Sequence, residues 1–237
     1  MFICAGLFAS WLSPSDPLQI HMEHKLSMPS WQYPLGTDHL GRCVLSRIIY
    51  GTRTTLYYSF IVMTVVFAIS IPVGLLAGYA GGKIDHWIMR IIDILLAFPS
   101  LILSLAITAM LGASMNNLLI AFAAVWWTGY ARVIRSLVLQ IKESGYVAAA
   151  KASGTSHLQI VLRHVLPIAA RPILVLASME VGTIMLSIAG LSFLGLGAQP
   201  PTPEWGDYAE RQPRLYSDRA AAHALPWNGN PAGSSGL

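Results

Sequence analysis

Charge is scarce in this sequence. Of 237 residues only 11% are Asp, Glu, Lys or Arg, while 54% are hydrophobic, and a soluble domain carries roughly a quarter charged residues. That deficit points to a bilayer as solvent and to one membrane-embedded domain. Cysteine is almost absent as well. Cys4 and Cys43 form no CxxC pair and no metal-ligand spacing, which argues against both a disulfide framework and a zinc site. The amino terminus lacks a basic n-region, and no small-residue cleavage site follows it, so it does not read as a signal peptide. The net charge of +4 comes from basic residues flanking apolar runs, where membrane topology accounts for them without a nucleic-acid partner. No histidine lies within those runs. An intramembrane protease built on Ser192 would therefore have no base. Gly36 to Gly41 has the spacing of a phosphate loop, but Arg42 and Cys43 stand where Lys and Ser or Thr are needed, which argues against ATP binding by this chain.

What is present is a set of long apolar segments. Residues 56–80, 94–113, 116–131 and 172–197 are apolar around the full helical circumference and read as membrane spans. Residues 1–12 reach only about 18 Å as a helix and read as part of a first membrane helix whose beginning is missing. Pro72 and Pro99 fall inside two spans, and the backbone groups they free must be satisfied by neighbouring helices in a packed bundle. Gly74 and Gly78 have the GxxxG spacing of closely approaching helices, and Gly190, Gly195 and Gly197 supply a second small-residue stretch. The fold expected is an all-α polytopic transmembrane bundle.

The stretch from Arg132 to Arg171 carries six basic residues against one acid, Glu143, so it is expected on the cytoplasmic side. Counting spans outward places residues 13–55 outside. Within the basic stretch, residues 143–152 are good helix formers. Gly154 suits a helix end, Ser156 suits a second cap, and Pro167 is expected to stop the second helix. A short helix-turn-helix on the cytoplasmic face follows, with small alanine faces suited to close docking. Residues 207–237 hold no spanning run and read as loop or disorder.

The spacing of Tyr146, Ala149, Ala150, Gly154, Ile160, Leu166 and Pro167 resembles the coupling loop of ABC importer permeases, with Ala148 where that loop usually opens on Glu. Three further stretches resemble the dipeptide, oligopeptide and nickel permeases of the second-subunit (C) type. They are Leu35-Gly36-Thr37-Asp38-His39-Leu40-Gly41-Arg42 with Ser46-Arg47, then Leu191 to Gly197, then Pro200 to Gly206. Cys43 stands where the family usually has Asp. The resemblance implies the type I importer permease fold, with a permease domain over residues 56–206 that includes a coupling loop at 143–167. It implies that Tyr146, Ala149, Ala150, Gly154, Ile160, Leu166 and Pro167 dock an ATPase subunit. The partners it implies are a homologous permease subunit, two ATP-binding subunits that hold ATP and Mg, and an extracytoplasmic substrate-binding protein. No cofactor belongs to this chain itself, and the setting is the cytoplasmic (inner) membrane of a bacterium. Family members continue into a further membrane helix, so the tail is expected to be truncated or frameshifted.

Glu180 is the carboxylate well inside an expected span and is a candidate for the translocation path. The alternative is an interior hydrogen bond. His21 and His24 suggest a metal site only weakly, because nothing fixes a third ligand. Cargo stays open between nickel, or a metal chelate, and di- or oligopeptides. Met179 to Gly182 and Met185 to Gly197 look somewhat more nickel-type. The alternative function is a secondary transporter or channel subunit, which offers no reason for the loop at 146–167.

Overall fold

A computed structural model describes residue 6 and residues 8–206; the expected tail at 207–237 and most of residues 1–7 lie outside the described residues. The described chain is helical: α1 (Ala9–Leu12), α2 (Val44–Ala80), α3 (Gly82–Leu96), α4 (Ser100–Leu111), α5 (Met115–Val125), α6 (Trp127–Lys142), α7 (Gly145–Ala152), α8 (His157–Ile160) and α9 (Leu166–Phe193). A short 3-10 turn occupies Met22–His24.

By length and composition three helical stretches are able to cross a membrane: Val44–Ala80, Met115–Lys142 and His157–Phe193. A fourth crossing exists if α3 and α4 count as one span, bent by 77°. The expectation of one membrane helix over 94–113 is thereby corrected, because the helix breaks between Leu96 and Ser100. Pro99 does not sit within a helix but forms the N-cap of α4, at φ −57° and ψ 122°. Proline disfavours helical geometry in the residue before it, so the chain turns at Ala97 to Pro99. Pro72, by contrast, lies inside α2.

α2 begins at Val44, not at residue 56. At 1.5 Å per residue it is about 55 Å long, well beyond the roughly 30 Å hydrocarbon core, so its polar first turns project from the apolar body. Those turns are packed: Ser46, Arg47, Gly51, Thr52 and Thr55 are all buried.

The core joins Val62, Val66 and Phe67 of α2, Leu118 and Phe122 of α5, Ile134 and Val138 of α6, and Ile184, Ile188 and Leu191 of α9. The GxxxG pair sets how closely α2 meets α6. A Cβ on Gly74 would stand 2.7 Å from the Ile134 Cβ, and one on Gly78 would stand 2.8 Å from the Val138 Cβ. Gly190, in contrast, faces open space. Large apolar side chains such as Leu76, Ile102, Met110, Leu174, Met179 and Leu186 point outward, as a lipid-facing surface requires.

Candidate functional site: a coupling loop at one end and a motif cluster at the other

α2 ends at Tyr79 and Ala80, and the loop between α6 and α9 lies against that end. Helix α7 covers Gly145–Ala152, and its Val147 is fully buried in the core. Gly154 follows at φ +75°, a left-handed conformation that costs glycine nothing, and its N–H donates to the Lys151 carbonyl at 3.0 Å. The Ser156 hydroxyl then caps α8 by accepting from the Gln159 N–H at 3.4 Å.

Pro167 does not stop the helix, contrary to the sequence expectation. A π-helical stretch, Val161–Val165, leads directly into α9, with Pro167 in its first turn. Proline has no N–H to donate, and its ring collides with the carbonyl four residues back in a regular α-helix. The wider π turn relieves that conflict and leaves His157–Phe193 as one continuous 37-residue helix.

The seven loop residues singled out from sequence divide by exposure. Tyr146, Ala149, Gly154 and Pro167 are exposed, and Ala150 and Leu166 are half-buried against the core. Ile160 is fully buried. It lies beneath the loop alongside Val147, not on the loop's exposed face. Leu158 and Leu162, not singled out from sequence, are 69% and 52% exposed and extend the apolar face. Only the i, i+4 spacing of the two leucines pointed to them.

The stretch from Arg132 is not a loop until Lys142, because α6 carries it. Arg132 pairs with Asp93 of α3 on the surface. Arg135 forms a bidentate pair with Asp85 at 2.5 and 2.6 Å. The latter pair is mostly shielded from solvent and ties α3 to α6.

At the far end of α2 the family-like motifs converge. Asp38 is 2% exposed and accepts from the backbone N–H groups of Leu40 and Arg42 at 2.9 and 3.0 Å, and from the Arg42 guanidinium at 2.7 and 2.8 Å. Burial would raise its pKa, but the hydrogen bonds from Arg42 and Leu40, with the charge of Arg42, outweigh burial and hold the carboxyl below its ordinary value. Arg47 donates to the carbonyls of Pro17 and Pro201. Glu204, 1% exposed, accepts from the Thr55 hydroxyl at 3.2 Å and from the Gly206 N–H at 2.8 Å. The Trp205 indole donates to the Ile48 carbonyl at 3.2 Å. Gly206 lies so close to α9 that a Cβ there would stand 2.1 Å from the Ala189 carbonyl oxygen. Segments far apart in sequence thus lock the N-terminal end of α2 to the end of α9.

Glu180 is half-buried on α9 and interacts with the Tyr130 side chain of α6, whose ring stacks on Phe67 of α2 at 4.9 Å. It sits among three helices. His21 approaches Glu23 at 3.3 Å, and among the described residues no group of three or more His, Cys, Asp or Glu is placed to hold a metal ion.

Residues 70–221, spanning the loop and α9, match the family of binding-protein-dependent transport system inner membrane components. The chain belongs to that family. It is a transmembrane permease subunit of an ABC importer. Among curated relatives it is 41% identical to the dipeptide transport system permease protein DppC of Alkalihalophilus pseudofirmus, over 95% of this chain and 72% of that one. It is 38% identical to the nickel transport system permease protein NikC of Escherichia coli K12, over 85% and 73%. It is 40% identical to the glutathione transport system permease protein GsiD of Pectobacterium atrosepticum, over 87% and 69%. In fold it is similar to a chain of the inward-facing MetNI methionine ABC transporter, with a TM-score of 0.57 and 19% identity over 75% of this chain and 93% of that one.

Proposed function

We propose that this permease carries a small polar cargo inward across the bacterial cytoplasmic membrane, driven by ATP hydrolysed on two separate subunits. The cargo is nickel, as the ion or a chelate, or a di- or oligopeptide, delivered by an extracytoplasmic binding protein. A homologous permease supplies the other half of the path. ATP and Mg belong to the ATPase subunits, so this chain needs no cofactor. The observation that carries the reading is the exposed face of α7 and α8. Tyr146, Ala149, Gly154 and Leu158 present small and apolar surface on a base held by Val147 and Ile160. Small side chains permit close approach to a partner's cleft, and the buried base makes the loop a rigid lever. Continuous helix from His157 to Phe193 then carries its displacement into the bundle. The half-burial of Glu180 beside Tyr130 supports a cationic cargo that meets this carboxylate.

The test is cross-linking in the assembled transporter. Ala149→Cys should form a nucleotide-sensitive adduct with a cysteine placed in the cleft of the cognate ATPase subunit. Gly154→Pro, which forbids the positive φ and removes the donor to Lys151, should abolish that adduct and the coupling of hydrolysis to transport. Absence of any adduct from an assembled complex, or full coupling in Gly154→Pro, would overturn the docking assignment. Cargo is decided by the affinity of the cognate binding protein for Ni²⁺ against a dipeptide.

A further inference from the structure

Helix α9 is the covalent route from the loop into the bundle, but α2 needs a route of its own if both spans are to move together. We propose that Tyr79, on the last turn of α2, is the positioning residue that transmits movement of the loop to α2. The inference rests on the loop being the ATPase docking element. Three observations place Tyr79 there. Its hydroxyl and the Nδ1 of His157, the first residue of α8, are hydrogen-bonded at 3.0 Å. Its ring lies beneath the Lys142 ammonium at 5.6 Å and the Lys151 ammonium at 6.0 Å, one from the end of α6 and one from α7. Its ring also meets the His157 ring edge-on, with centroids 5.9 Å apart. One side chain therefore touches each segment of the loop.

The surroundings make that contact matter. Between α2 and the start of the long helix lies an apolar cavity of about 320 Å³, lined by Leu75, Leu76, Leu158 and Val161, with Tyr79 and His157 at its edge. Apolar packing there is incomplete, so the polar and ring contacts of Tyr79 are what tie α8 to α2 on this side. The static architecture does not depend on the side chain. Lys142 donates to the backbone carbonyl of Tyr79 at 2.6 Å, a bond any residue at 79 retains, and Val147 and Ile160 stay buried beneath the loop.

The experiment uses the reconstituted transporter with its partner permease, ATPase subunits and binding protein. Variants are Tyr79→Phe, which keeps the ring and removes only the hydroxyl, His157→Phe, and the double variant, each with and without Ala149→Cys. Assembly and the Ala149→Cys adduct should persist in all three. Stimulation of ATP hydrolysis by loaded binding protein should fall about fivefold in each single variant, the scale of one hydrogen bond, and no further in the double variant, because both remove the same contact. Unchanged stimulation in Tyr79→Phe, a double-variant loss equal to the product of the singles, or failure of Tyr79→Phe to assemble would each overturn the transmission role. Absence of the adduct in the otherwise unmodified protein would instead overturn the docking reading, and with it this proposal.

Discussion

Asp38→Asn tests whether the motif cluster at the N-terminal end of α2 is held by charge or merely by shape. The amide keeps the carboxylate's volume, and its oxygen still accepts from the N–H groups of Leu40 and Arg42. Its NH₂, however, now faces the Arg42 guanidinium, which in the native protein lies 2.7 Å from Oδ2 with 5% of its side chain exposed. Arg47 lies 4.0 Å from the same oxygen. Removing one partner of a buried pair costs about 3–5 kcal/mol, because the remaining charge stays buried without compensation. At about 1.4 kcal/mol per factor of ten, local opening should become at least about a hundredfold more frequent. Cys43 reports it: the residue follows Arg42 directly, is 2% exposed and occupies the N-cap position of α2. In a Cys4→Ser background, an impermeant maleimide applied to spheroplasts should label Cys43 about a hundredfold faster in Asp38→Asn than in the native sequence. Adding Arg42→Met, which removes the orphaned guanidinium, should restore much of the protection. An acceleration below about threefold would refute the argument, since one neutral hydrogen bond is worth that much.

The same reporter carries a pH prediction. Asp38 binds its proton more weakly folded than unfolded, so its stabilising contribution is complete above the unfolded carboxyl value near pH 4 and is lost as pH falls through the lower folded value. Labelling of Cys43, scaled to the denatured thiol at each pH, should be flat from about pH 5 to 8 and rise only below about pH 4; a rise on the alkaline side would contradict it. At the other contact of α2, Gly74→Ala would place a Cβ 2.8 Å from the Ala131 carbonyl oxygen, and Gly78→Ala one 2.9 Å from that of Arg135. Backbone oxygens yield only if α2 and α6 separate, so each substitution should cost about 1–3 kcal/mol, read as a lowered Tm in detergent. Gly129→Ala, with nothing within 4 Å, should not lower Tm, since alanine is the better helix former.

Much of this architecture was legible in the sequence because the bilayer imposes a strong constraint: long apolar runs must be helices. Gly74 and Gly78 were legible for a related reason, since small residues four apart leave a groove that only another helix fills. What stayed hidden depended on partners distant in sequence. The polar start of α2, with Arg47, Thr52 and Thr55, reads as a soluble segment until Pro201, Glu204 and Trp205 are placed beside it. Ile160 was expected on a docking face only through its place in the family motif, yet it turns inward with Val147.

The two prolines at the ends of apolar runs show the same limit in a sharper form. Each removes one donor and crowds one turn, yet the sequence reading kept Pro99 inside a span and put a helix stop at Pro167. At Pro99 the break occurs and bends the axis by 77°. At Pro167 the preceding π turn takes up the conflict and the helix runs on. The difference lies in what the flanking residues pack against. Phe98 is 59% exposed, whereas Ile160, Val165 and Ala169 are all fully buried on one side of the helix. A break at Pro167 would have lifted those three side chains from the core, which outweighs the cost of one irregular turn. The continuous helix from His157 to Phe193 is therefore a consequence of core packing around a proline, and the proposed lever rests on that packing, not on the loop motif.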